Sequence, residues 1–178
     1  MPDSEEKSWY ALKVFYNRTS ELEKDLKKQD CKTYIPRIIV EKENGVGYES
    51  KAAVSSLLFV RCNEEFLVSY KNNHDDRFLY YCTPGTSHPG RIPDREMINF
   101  QAATSVQDLE AMVLGSDTEW FKDGQRVRVI KGIHEGREGW IRRIKGKKRF
   151  IVCIEGTVAV AFQAVPPSFL EEIEPSKR

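Results

Sequence analysis

The chain has 178 residues, 40% hydrophobic and 11% aromatic, with 28 basic and 27 acidic side chains for a net charge of +1. That length accommodates one ordinary domain or two small ones, and no stretch approaches the ~20 consecutive apolar residues of a membrane-spanning helix. The opening Met-Pro-Asp-Ser-Glu-Glu-Lys is polar and acidic, unlike a secretion signal, so a soluble cytoplasmic protein with no membrane partner is expected.

Trp9 to Tyr16 is rich in aromatic and β-branched residues and reads as a strand. Ser20-Glu21-Leu22-Glu23 has the form of a capping box, which predicts a helix starting there with Leu22 and Leu26 turned toward the sheet. Thr33 to Val40 is the next strand, with Pro36 marking an edge or bulge. Residues 41–51 are polar and contain Gly45 and Gly47, the pattern of a hairpin tip whose return strand is Leu57 to Cys62. A short helix is expected over Glu64 to Lys71, a strand over Phe78 to Cys82, and a helix opened by Pro93 over Ile92 to Met97. The order β-α-β-β-α-β-α predicts an α+β sandwich, helices laid on an antiparallel sheet. Residues 103–118 continue that helix before becoming a connection.

The last third carries the sharpest signal. Phe121 to Ile144 contains two short β patterns hinged on Gly132, Gly136 and Gly139, with Val127 and Val129 on one strand face and Arg126, Arg128 and Ile130 on the other. Residues 119–178 hold thirteen basic and eight acidic side chains, whereas residues 1–118 hold 15 and 19. An acidic first part is a poor match for the phosphate backbone, so its partner is expected to be protein. Cys31, Cys62, Cys82 and Cys153 are scattered without a C-x-x-C pair, which speaks for buried reduced thiols rather than zinc or a disulfide framework. His74, His88 and His134 are far apart, and neither a P-loop nor G-x-S-x-G occurs, so no enzyme, cofactor or metal is expected.

The glycine spacing Gly124, Gly132, Gly136, Gly139 after Val-Arg-Val-Ile resembles the KOW motif, the core of a small SH3-like β-barrel. Joined to the Trp-Tyr strand, the Tyr-Ile-Pro strand, the hairpin and the Pro-Asp-x-Glu helix, it makes the chain similar to the NusG family from about Ser8 to Ile173. The ending Gly-Thr-Val-Ala-Val-Ala-Phe and Pro-Pro-Ser-Phe-Leu-Glu is similar to that of UpxY-type paralogues, antiterminators of surface-polysaccharide operons. The resemblance implies an NGN-like domain over residues 8–115, a linker at 116–120 and a KOW domain over 121–175. One departure stands out: the Phe-Pro-Gly-Tyr-type turn of housekeeping members is replaced before Leu57-Leu58-Phe59 by Val54-Ser55-Ser56.

The resemblance further implies a transcription elongation or antitermination regulator whose N-terminal sheet grips the clamp helices of RNA polymerase. The matching positions are Leu57, Phe59 and Phe78, with Tyr10 and Tyr80 as neighbours; strand alternation leaves open whether each is interface or core. A rim of the barrel, matched by Phe121, Ile133 and Ile154, implies recruitment of a ribosomal protein or termination factor, with a barrel-core role for Ile154 equally open. The turn bearing Arg142, Arg143, Lys145, Lys147, Lys148 and Arg149 suits a DNA or RNA contact or a plainly solvated loop. Lys42, Asn44, Tyr48 and Lys51 at the hairpin tip are a weaker candidate for the same role. The competing reading is a ribosome-associated RNA-binding protein that uses the KOW barrel.

Overall fold

The computed structural model describes residues 6–73, 75–115 and 124–174. The chain divides into two compact units, Met1–Pro36 with Val54–Met97, and Arg37–Ala53 with Ile98–Arg178.

The first unit is built on a four-stranded antiparallel sheet of β1 (Ser8–Val14), β2 (Lys32–Tyr34), β5 (Leu57–Cys62) and β6 (Phe78–Tyr80), in the order β2-β5-β1-β6. Helices α1 (Thr19–Lys28) and α2 (Glu64–Asn72) supply Leu22, Leu26 and Leu67 to a core that also holds Tyr10, Leu12, Val14, Leu58, Val60 and Phe78. All three helical leucines are fully buried, each contributing about 1.5–3 kcal/mol relative to exposure. The α1 start differs from the expected capping box. Its N-cap is Arg18, which makes no side-chain cap bond, and the preceding Tyr16 and Asn17 have φ of 57° and 55°. Those two left-handed residues turn the chain into a helix that begins at Thr19, one residue before Ser20, while the Thr19 hydroxyl donates to the Ser55 carbonyl at 2.6 Å. At α2 the cap is conventional, with the Asn63 side chain accepting from the Phe66 N–H at 2.7 Å.

Pro36 does more than bend one strand. It separates β2 from β3 (Arg37–Glu41), which pairs with β4 (Tyr48–Ala52) as a two-stranded ribbon of its own, in the second unit. The hairpin is therefore returned by β4, correcting the expectation that Leu57 to Cys62 is the return strand; that strand pairs with β1 and β2.

The second unit also contains a six-stranded antiparallel sheet, in the order β12-β8-β9-β10-β11-β7. Its members are β7 (Met112–Gly115), β8 (Gln125–Val129), β9 (Glu138–Ile144), β10 (Lys147–Ile154), β11 (Val158–Ala161) and β12 (Leu170–Glu172). Helix α3 (Asp94–Thr104) starts within the expected opening and ends at Thr104, at the beginning of the residues expected to continue it. Residues expected to be connection instead form β7, which pairs with β11. Phe121, residues 116–120 and His74 lie outside the described residues.

Candidate protein and nucleic-acid contact surfaces

The five aromatic and aliphatic residues expected to form one docking patch fall on two faces of the first sheet. Tyr10 opposes Val60 and Val14 opposes Phe78, so Tyr10 and Phe78 point into the core beneath the helices, where both are fully buried. Tyr80 packs against the same core, half-buried. Of the two alternatives the strand alternation left open, these three take the place of core residues in this fold. Leu57 and Phe59 belong to the opposite face, because Ala11 pairs with Phe59 and Lys13 with Leu57. They are buried too, at 2% and 0% exposure, and the Phe59 ring lies 6.5 Å from that of Tyr34. Lys13 pairs on its other side with Leu79, which places Leu79 on the Leu57–Phe59 face with 52% of its surface open. Leu79 was missed in the sequence because Phe78 and Tyr80, its larger neighbours, drew the pattern onto the wrong alternation.

In the second unit Gly132 and Gly136, with φ of 93° and 82°, turn the chain between β8 and β9. Gly139 has a different task. A Cβ there would strike the Ile151 carbonyl oxygen and come within 2.7 Å of the Phe150 ring, so glycine allows β10 to approach β9. Ile133, at the turn, is half exposed, and Ile130 beside it is 43% exposed. The Phe169 ring stands against Gly132, and the Phe169 carbonyl accepts from Ile130 N–H at 2.8 Å. Ile130 and Phe169 thus join Ile133 in a small apolar rim. Ile154 does not; it is 2% exposed, inside the sheet opposite Val158.

The basic segment is a two-residue hairpin loop. Lys145 and Gly146 both have positive φ, 50° and 82°, the form that matches the twist of the flanking strands. Its six bases divide. Arg143, Lys145, Lys147 and Lys148 are exposed, whereas Arg142 and Arg149 are half-buried. Arg149 Nη1 donates to the Glu110 carbonyl at 3.0 Å and to the Phe162 carbonyl at 3.4 Å. Arg143 stands directly opposite Lys148, a like-charge cross-strand pair that costs stability unless an anion joins it.

One buried polar node had no signature in the sequence. His134 Nε2 lies 3.0 Å from Asp108 Oδ2, with the two side chains 1% and 0% exposed. Asp108 also accepts from the Gln163 N–H at 3.0 Å and the Glu110 N–H at 2.9 Å. Burial opposes ionisation of Asp108, yet His134 and these two amides together hold its carboxyl below the usual value. The Phe150 and Phe162 rings enclose His134, with centroids 5.6 and 4.5 Å away. Nearby, the Asn99 amide binds the Glu138 backbone in both directions, donating to its carbonyl at 2.7 Å and accepting from its N–H at 2.9 Å. Asn99 thereby acts as a one-residue strand at the start of β9.

Among the described residues no three His, Cys, Asp or Glu side chains gather as a metal site, and no helix is long and apolar enough to cross a membrane.

Compared with known proteins, residues 7–101 match the family model described as "Transcription termination factor nusG". Among solved structures, the chain is similar to one described as "Domain interaction in Thermotoga maritima NusG", at 20% identity and a TM-score of 0.49 over 95% of this chain and 98% of that one. No curated protein matches it.

Proposed function

The chain belongs to the NusG family of transcription factors, and on that premise we propose that it regulates elongation and antitermination by binding RNA polymerase through its first sheet. The observation that carries the proposal is the extent of the family match, which spans all four strands of that sheet together with α1 and α2. Because the helices occupy one face, the polymerase clamp helices are assigned to the other, where Leu57, Phe59, Tyr34 and Leu79 lie. Leu79 is the accessible anchor, and contact through Leu57 and Phe59 requires their present cover to move. An apolar cluster of this kind suits a helical partner.

The second sheet is the proposed KOW module. Its rim of Ile133, Ile130 and Phe169 recruits a second factor, a ribosomal protein or termination factor, and its β9–β10 turn contacts DNA or RNA through Arg143, Lys145, Lys147 and Lys148. We assign the targets to surface-polysaccharide operons, on the likeness of the C-terminal segment to UpxY-type proteins; transcript length through such a cluster, with and without the protein, checks this.

A photo-crosslinking amino acid placed at Leu79 tests the polymerase contact, with Lys24 on the exposed side of α1 as the control. We expect crosslinks to a polymerase subunit from position 79 and none from position 24. Equal yields from both positions sink the face assignment. Recovery with ribosomal particles alone, without polymerase, replaces the proposal with the ribosome-associated reading.

A further inference from the structure

Cys31 and Cys62 are free thiols, and both belong to the core of the first unit. Cys31 immediately precedes β2, and Cys62 ends β5. Lys32 opposes Arg61 at the end of the β2–β5 ladder, so Cys31 and Cys62 are the next residues beyond that pair, and both side chains enter the same core cluster. Opposed residues in antiparallel strands have Cα atoms about 4.5–5.5 Å apart, inside the window of about 4.4–6.8 Å that a disulfide spans. The Cys31 thiol donates to the Gln29 carbonyl at 3.7 Å.

We infer that Cys31 and Cys62 are a redox modification site, a dithiol that a hydroperoxide-class oxidant converts to a disulfide bridging β2 and β5. Two adjacent thiols in one core serve packing no better than two small apolar side chains, and the adjacency gives them shared chemistry. Their roles differ. The neighbouring Cys62 thiol, able to donate to it, lowers the Cys31 pKa against the opposing effect of burial, with the Lys7 ammonium assisting. Its proximity to Cys31, together with burial, keeps Cys62 protonated. Cys31 is also the more open of the two, at 9% exposure against 3%, so it is the attacking sulfur.

In the first step the Cys31 thiolate attacks one peroxide oxygen. The O–O bond breaks, hydroxide leaves with the electron pair, and Cys31 becomes a sulfenic acid. The Cys62 sulfur then attacks the sulfenic sulfur, the S–O bond breaks, and the departing hydroxide takes the Cys62 proton to leave as water. Two electrons pass from the two thiols to the peroxide. The bridge closes the stretch from residue 31 to residue 62, which carries the whole β3–β4 ribbon, and it narrows the unfolded ensemble.

The test uses the full chain with exposed Cys82 changed by Cys82→Ser, treated with hydrogen peroxide. We expect thiols titrated under denaturing conditions to fall from three to one, an intact mass lower by two hydrogens, and a peptide map joining Cys31 to Cys62. Dithiothreitol reverses all three. Adding Cys62→Ser leaves Cys31 trapped as the sulfenic acid, which dimedone labels. If Cys82→Ser does not fold, the same peptide map on the unmutated chain decides. A map in which Cys31 and Cys62 stay free, or reach the sulfinic stage without being joined, overturns the inference.

Discussion

Glycines that look equivalent in the sequence carry different physical burdens. Gly132 and Gly136 supply positive φ, whereas Gly139 supplies space beside the Ile151 carbonyl. Gly139→Ala therefore forces backbone apart in a packed sheet and should cost about 3 kcal/mol, read as a fall in the denaturant midpoint. The Asp108–His134 node gives a second expectation. Asp108→Ala leaves a buried imidazole and two amides unpartnered, for a loss of about 3 kcal/mol. The folded-state pKa of Asp108 is depressed, so its contribution is present above the unfolded value of about 3.9 and is lost as pH falls through the folded value. Stability curves for wild type and Asp108→Asn should diverge at neutral pH and converge below about pH 4; a constant gap refutes this. The glycine spacing was visible in the sequence because it is local. The node was not, since residues 108 and 134 are joined only by the folded chain and neither sits in a periodic pattern.

Strands and helices were legible where one face is consistently apolar, and misread where a single residue decides the partner. Leu22 and Leu26 one turn apart identified α1 despite the wrong capping residue. Pro36 signalled an interruption, but local chemistry does not say that the chain beyond it leaves the sheet, so β5 was assigned to the wrong neighbour. The face of β6 was lost for a similar reason: it is three residues long, too short for alternation to outvote two aromatic rings. The β9–β10 hairpin is well specified, and its exposed bases can be changed without disturbing it. Lys145→Gln, Lys147→Gln and Lys148→Gln combined should lower the slope of log affinity for duplex DNA or structured RNA against log salt by about 2–3, close to 0.9 per lost phosphate contact, with the fold retained. An unaltered slope removes the turn from any nucleic-acid contact.

For the molecule as a whole, the shift in charge and the glycine spacing suggest two parts, and the chain forms two compact units with Arg37–Ala53 assigned to the second. In the sequence β7 looks like an unremarkable linker. Pairing with β11, together with Asp108 bonded to His134 and Gln163, ties residues before the junction into the second sheet. A fragment of residues 94–178 should melt cooperatively, whereas residues 121–178 alone should melt lower and self-associate through the uncovered β11 edge, as read by circular dichroism and sedimentation. Equal stability of the two fragments refutes the role of β7. The same pairing separates cutting from release. A protease that nicks the chain between Gly115 and Gly124 leaves β7 seated against β11 by its backbone hydrogen bonds, so the two polypeptides should run on a sizing column as one particle and come apart only in denaturant.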